Sequence, residues 1–347
     1  MMSFIDSDTH VDECDETWSY IPPNQRHLAP HTIEFADEEI PSYLPIGYHR
    51  LWYIDGRLAP RRRRSDERTG TTLETRELKD VGARMRDMDA LGVQTQVIYP
   101  TLFLHEPSLR PDITAMLHKS YNRWLADRCA HSKGRLRWVA MIPYIAPQEA
   151  LEEIQFAKDN GAVGIFKLGI DSGGRGASDP FFFRAYQAAA ERDLALCLHQ
   201  GTAWAPVNKF LSPFTQSNSG ETPVYSAFAE LLRARRDGQL PEGMRVGFIE
   251  AGSGWVPHVL GTNGFGAGGQ MPLAELDFYV TCDTSEDIPA VLESVGEDRH
   301  LIVGTDYTHG DRYSVMNAHA TVLGRSDLER VSAERITGDN ATSLYRI

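Results

Sequence analysis

An aspartate and a histidine two residues apart, Asp8 and His10, stand at the end of the apolar run that opens with Phe4-Ile5. In an extended strand residues i and i+2 point to the same face, roughly 6–7 Å apart at Cα, so a carboxylate and an imidazole at that spacing can converge on one metal ion. Other short apolar runs also end on or beside ionisable residues: Lys167, His199, Glu250, Asp283 and Asp306. Taken singly, each has an ordinary structural explanation, such as a rim histidine or a helix N-cap. Gathered in one bowl, they would be costly to bury without a cation. Two carboxylates and two imidazoles, with a position left for water, suit a catalytic zinc or a comparable first-row metal.

Such residues share a bowl only if their runs are neighbouring strands of one sheet. From residue 78 the chain alternates regularly. Helical spacing over 78–91 leads into the apolar run 95–100, and a helix over 109–131 precedes 138–143. The helix 147–159 precedes 164–168, the helix 179–192 precedes 194–199, and the helix 222–236 precedes 246–250. The runs 278–282 and 301–306 follow. With the first segment this makes eight strands, several of them near-continuous apolar runs of the kind buried on both faces. The expected architecture is α/β, a (β/α)8 TIM barrel forming a single domain over 1–347, with its active site at the C-terminal ends of the strands. A long insertion after strand one, residues 14–77, is rich in Pro, Arg and aromatic residues and reads as a lid. No Gly-x-Gly-x-x-Gly follows the first strand and no phosphate-binding Gly-x-x-x-x-Gly-Lys-Ser/Thr occurs, so a nucleotide cofactor has no support.

Composition excludes several classes. The chain of 347 residues is 41% apolar and 24% charged, with a net charge of −13. That charge would repel nucleic acid and anionic membrane, and neither is expected as a partner. The run Arg61-Arg62-Arg63-Arg64 is too short to reverse this and reads as a solvated loop face or a subunit contact. Cys14, Cys129, Cys197 and Cys282 are scattered, as expected of reduced thiols, and no apolar stretch is long enough to span a bilayer. Acidic residues come early and no basic and apolar leader is seen, so the expected location is cytoplasmic.

Several short motifs in order along the chain resemble the amidohydrolase superfamily, specifically the amidohydrolase-2 branch that includes aminocarboxymuconate-semialdehyde decarboxylase and the resorcylate decarboxylases. They are Arg86-Asp87-Met88-Asp89-Ala90-Leu91-Gly92, Tyr121-Asn122-Arg123-Trp124-Leu125, Ser178-Asp179-Pro180, His199-Gln200-Gly201, Gly304-Thr305-Asp306-Tyr307-Thr308-His309, and Asn340-Ala341 before Leu344-Tyr345. The resemblance implies one catalytic metal held by the strand-one pair, the strand-five His and the strand-eight Asp, here Asp8, His10, His199 and Asp306. The family usually has His-x-His or Glu-x-His at the first pair, and Asp8 keeps the oxygen ligand. Where the decarboxylases carry a His at the end of strand six, this chain has Glu250, either a general acid/base or a further ligand. Glu13 and Lys167, the latter carbamylated in some relatives, are additional candidate ligands of a dinuclear, oxygen-rich site. His309 is a candidate partner of Asp306 or part of the substrate rim. Zinc is the expected ion, with iron or manganese as the alternative.

The expected function is a metal-dependent hydrolase in which Asp306 or Glu250 takes a proton from water activated by the ion. Alternatives are a non-oxidative decarboxylase, an iron- or manganese-dependent oxygenase on the same scaffold, and a non-catalytic subunit of a related complex. Trp52 and Trp204, with Trp18, Phe103 and Phe214, point to a small organic, aromatic substrate. The resemblance also implies a homo-oligomer, or a hetero-oligomer with a related chain.

Overall fold

The protein is described by a computed structural model covering residues 4–35, 50–61, 64–171, 173–201, 220–264, 273–310 and 314–347. Eight strands form one sheet in the order β1 (Phe4–His10), β5 (Val93–Tyr99), β6 (Leu136–Ala140), β7 (Ala162–Leu168), β8 (Ala195–His199), β9 (Val246–Ile249), β10 (Phe278–Thr281) and β11 (Leu301–Ile302). Every neighbouring pair is parallel. The two ends of this sheet meet: Thr9 bridges Tyr307, Ser7 donates its N–H to Val303 at 3.2 Å, and Asp306 donates its own to Asp8 at 3.0 Å. The arrangement is the (β/α)8 barrel expected from the alternation.

Helices cover the outside because each carries an apolar stripe. On Thr222–Arg236 the residues Val224, Ala227, Phe228, Leu231 and Leu232 are buried, a helical 3–4 spacing, and Pro223 pre-sets the first turn. Phe228 meets Phe248 and Phe278 of the barrel at ring-centroid distances of 4.9 and 5.5 Å. With helices on one side and the barrel interior on the other, strands such as β7 are buried along their whole length.

Two backbone features aim the first strand. The pairing of β1 with β5 shifts between Asp6 and Thr9, a bulge that re-aims Asp8, while Thr9 and His10 stay in register with Ile98 and Tyr99. Gly304 lies so close to Asp8 that an added Cβ would sit 2.4 Å from that of Asp8; only glycine fits there. Below this end, the fully buried Arg84 donates to Gln96 Oε1 (2.9 Å), the His10 carbonyl (2.8 Å) and Thr9 Oγ1 (3.1 Å), which fixes the end of β1 from beneath.

Within the insertion, β2 (His31–Glu34), β3 (Arg50–Ile54) and β4 (Arg57–Pro60) form an antiparallel sheet of three strands, followed by the short helices Asp66–Thr69 and Leu73–Arg76. Arg61 and Arg64 are not a solvated face. Arg61 lies 4.1 Å from the Trp52 ring centroid and near Glu77, and Arg64 pairs with Asp12. The expectation for that run is corrected for these two residues: burying Trp52 beneath a guanidinium and neutralising Asp12 uses both of them internally. Arg62 and Arg63 lie outside the described residues. All four cysteines are free and buried, and among the described residues no helix is long and apolar enough to cross a membrane.

Candidate metal centre

At the C-terminal end of the barrel, Asp8, His10, His199 and Glu250 offer ligand atoms that all lie within 4.8 Å of one another, and all four side chains are buried. His199 Nε2 stands 3.3 Å from Asp8 Oδ1 and 3.6 Å from Glu250 Oε2. His10 Nε2 stands 3.4 Å from both Asp8 Oδ1 and Asp306 Oδ1. Two ligands on one first-row ion, with bonds of about 2.1 Å and angles between octahedral and tetrahedral, lie roughly 3.0–3.4 Å apart. The His–Asp spacings of 3.3 and 3.4 Å match that geometry and are long for direct hydrogen bonds, and the His199–Glu250 spacing of 3.6 Å lies just beyond it.

The tautomers point the same way. His10 Nδ1 lies 2.9 Å from the Pro100 carbonyl, and His199 Nδ1 lies 2.9 Å from that of Gln200. A carbonyl only accepts, so each Nδ1 carries the proton and each Nε2 turns a lone pair toward the carboxylates. Burial lowers the His10 pKa despite the pull of Asp8, keeping the ring neutral. His10 Nε2 is buried without a hydrogen bond. Lone pairs facing carboxylate oxygens across 3.4 Å are repulsive unless a cation lies between them. The donor set of two nitrogens and two oxygens therefore fits a divalent metal ion.

Asp306 does not join that group of four. It falls with His10 and His309 in a second buried group. Its Oδ1 lies 2.8 Å from His309 Nδ1, and its Oδ2 accepts from Ser314 Oγ at 2.5 Å. His309 stacks on His10 with ring centroids 3.8 Å apart, and its Nε2 is 3.0 Å from Thr101 Oγ1. Glu250 and Asp306 both take positive φ, 55° and 53°, conformations that non-glycine residues rarely adopt and that cluster at functional sites.

Two candidate ligands lie elsewhere. Lys167 pairs in register with Leu198, not with His199, so it faces the helix layer, where its Nζ sits 3.8 Å from the Phe182 ring centroid and donates to the Leu168 carbonyl at 3.2 Å. Burial lowers its pKa to about 8 although Asp171, Glu106 and Glu230 raise it. Glu13 turns both oxygens to backbone, accepting from Thr101 N at 3.0 Å and Leu102 N at 2.9 Å. It shapes the loop that presents Thr101 to His309 and belongs to neither ligand group. Trp52 packs edge-on against Trp18, with centroids 5.8 Å apart, and beneath Arg61, a core position with its ring enclosed by protein. Trp204 lies outside the described residues.

Thr101, Ser314 and Glu286 went unrecognised in the sequence. Thr101 lies two residues beyond β5, across Pro100, at the same end of the barrel as the candidate ligands. Glu286 clamps the loop after Glu250: its carboxylate accepts from Ser253 N (2.9 Å), Ser253 Oγ (2.8 Å), Gly254 N (3.0 Å) and Asp283 N (3.0 Å). No local pattern announces such a clamp. A cleft open to solvent reaches the centre between β9, β10 and β11; Asp8, Glu250, Asp283 and Asp306 line it, with no aromatic or cationic side chain among its described lining.

Solved structures with this architecture span the whole chain. An amidohydrolase from Mycobacterium avium subsp. paratuberculosis K-10 is similar with a TM-score of 0.76 at 14% identity, covering 100% of this chain and 98% of that one. A 5-carboxyvanillate decarboxylase from Novosphingobium aromaticivorans DSM 12444, complexed with manganese and 4-hydroxy-3-methoxy-5-nitrobenzoic acid, gives 0.69 at 17%, covering 100% and 96%. A 4-oxalomesaconate hydratase from Rhodopseudomonas palustris gives 0.62 at 13%, covering 99% and 96%. These likenesses show the fold. No curated protein matched the sequence. Residues 5–347 match the amidohydrolase family of the amidohydrolase-2 branch, and the chain belongs to that family.

Proposed function

We propose that this protein is a metal-dependent hydrolase acting on a small organic substrate. The observation that carries this reading is the carboxylate of Glu250 within the buried ligand group, 3.6 Å from His199 Nε2. A bound divalent ion, zinc by its donor set and manganese or iron by its share of oxygens, supplies a Lewis acid and acidifies water. Asp306 lines the cavity and is the proton acceptor; Ser314 and His309 hold its two oxygens in place. Glu250 and Asp8 supply the negative charge that keeps the ion. The insertion 14–77 is tied to the loop bearing His309, since Arg68 donates to the Gly310 carbonyl at 3.0 and 2.7 Å, and it covers the substrate.

Among the described residues the cavity lining carries four carboxylates and no cationic side chain, so the bound ion is the positive charge a substrate oxygen would meet there. Lyase chemistry is the second reading. It is supported by the fold shared with a manganese-bound decarboxylase and a hydratase. The test is metal-depleted protein reconstituted with zinc or manganese and offered small lactones, amides and dihydroxybenzoates in water labelled with heavy oxygen, the label being read in the organic product. Label in the product, dependent on metal and lost in Asp306→Asn, is expected. Carbon dioxide release from the benzoates without label uptake would replace hydrolysis by decarboxylation.

A further inference from the structure

Of the three residues that follow β9, Glu250 and Gly252 take left-handed backbone, with φ of 55° and 66°. Glycine adopts that conformation freely and glutamate does not, so contacts outside the loop must hold it. We propose that Glu286 is the positioning residue of Glu250: its carboxylate, anchored by Arg325, gathers the N–H groups of this loop and so sets where the Glu250 side chain stands in the ligand group. This rests on the metal-dependent reading above and adds to it a residue outside both ligand groups.

The polar groups of the loop are taken up from two sides. Its N–H groups go to Glu286. Oε1 accepts from Ser253 N at 2.9 Å and Gly254 N at 3.0 Å. Oε2 accepts from Ser253 N at 2.9 Å, Ser253 Oγ at 2.8 Å and, on the neighbouring loop, Asp283 N at 3.0 Å. The carbonyls go to aromatic side chains: Trp255 Nε1 donates to those of Ala251 at 3.0 Å and Gly252 at 2.7 Å, and the Tyr225 hydroxyl donates to that of Ala251 at 3.4 Å. Glu286 lies so close to Gly252 that an added Cβ there would stand 2.5 Å from Oε1. All of these partners of the carboxylate donate, and only the Ser253 hydroxyl could also accept. An amide in its place would set N–H against N–H.

Glu286 is itself anchored. Arg325 Nη1 donates to the carbonyls of Thr284 and Glu286, both at 2.9 Å, while Nε and Nη2 fork onto Asp327 at 2.9 and 2.7 Å. The clamp thus crosses from the loop after β10 to the loop after β9, and Glu250, Gly252, Asp283 and Thr284 of these two loops line the cleft. Its action on the ligand runs through backbone. Ser253 stands three residues from Glu250, and releasing its N–H frees the turn that brings Glu250 Oε2 to 3.6 Å from His199 Nε2.

The test uses the full chain, stripped with a chelator and titrated with cobalt(II) alone, whose visible absorption reports the number and arrangement of its ligands. Glu286→Gln keeps the size of the side chain. Its cobalt Kd is expected to rise about 10–100-fold, the usual cost of losing a group that orients a ligand, and its spectrum at saturating cobalt should move toward that of Glu250→Gln. Asp298→Asn, which loosens the contacts to Ser332 and Arg335 ahead of β11, is the control: a lower denaturation midpoint with unchanged Kd and spectrum is expected. An unchanged cobalt spectrum in Glu286→Gln, whatever its midpoint, overturns the positioning role and leaves the metal-dependent reading standing. An unmodified protein that binds no cobalt overturns that reading and the proposal with it. If Glu286→Gln fails to fold, which circular dichroism reports, Arg325→Gln decides, because it loosens the anchor without altering the carboxylate. The same spectral shift is then expected, and an unchanged spectrum overturns the proposal.

Discussion

At the scale of single residues, the candidate centre depends on side chains outside both buried ligand groups. Glu13 is the clearest. Both its oxygens hold backbone N–H groups of the turn that carries Thr101, and Thr101 in turn meets His309. Burial pushes its carboxyl from 4.5 up to about 7, against the pull of the Leu102 and Thr101 N–H groups and of Arg61. A folded pKa raised above the unfolded one adds stability that is full below about 4.5 and disappears as the pH rises through about 7. The amount is on the order of 3 kcal/mol. The stability advantage of the unmodified protein over Glu13→Gln should therefore shrink by that order across this window. Denaturant titrations of both proteins at several pH values check it, and subtracting one from the other removes what the shared ligands contribute. A difference that stays flat across the window would mean the carboxyl titrates normally. Glu250 and Asp306, with φ of 55° and 53°, show the other side of this scale. Their types and positions at strand ends are legible in the sequence, but their left-handed backbone is not: Glu250 precedes a loop clamped by four donors on Glu286, and Asp306 is tied by its N–H to Asp8, contacts assembled only in the fold.

At the scale of elements, Trp52 packs within the insertion's sheet. It lies under Arg61, beside Trp18, and is 2% exposed. Truncation to Ala leaves a large cavity and should cost roughly 3–5 kcal/mol. Trp52→Ala should therefore unfold at lower denaturant, with faster hydrogen exchange in β2, β3 and β4 and a KM close to that of the unmodified protein. A raised KM at unchanged stability would make it a substrate contact after all. The sequence shows the barrel strands within a few residues because each is a dense apolar run: 164–168 lies within β7 and 246–250 extends β9 by one. The antiparallel sheet stayed hidden inside a presumed lid although one signal was present. Asp55-Gly56 stands between Leu51-Trp52-Tyr53-Ile54 and Arg57-Leu58-Ala59, the dipeptide that favours a tight hairpin, and both residues take positive φ. Periodicity alone could not place Lys167 either. In a strand buried on both faces, apolar neighbours do not tell the barrel side from the helix side, and only its register with Leu198 does.

At the scale of the whole molecule, the two buried groups of candidate ligands tie the first barrel strand to the last. Asp8 and His10 come from β1, His199 from β8, Glu250 from the end of β9, and Asp306 and His309 from the segment that follows β11. The protein's own closure there is a short ladder around Thr9 and Tyr307, reinforced by Asp6, which accepts from Thr305 N at 2.8 Å and Thr305 Oγ1 at 2.6 Å. The C-terminal helix adds Tyr345, whose hydroxyl meets the Tyr99 hydroxyl at 2.7 Å and donates to the Ser7 carbonyl at 3.0 Å. A cation bound across this seam stabilises the folded state alone, by about 2.7 kcal/mol at a hundredfold excess over its Kd. Chelation should then lower the Tm of the barrel as one cooperative transition, with Tm rising again with added metal. In His199→Ala, which loses a ligand without disturbing the ladder, the response to chelator should be much weaker. Calorimetry with and without chelator checks this. If metal leaves and the Tm does not move, the seam closes on its own hydrogen bonds, and the carboxylates and imidazoles gathered over it serve chemistry alone.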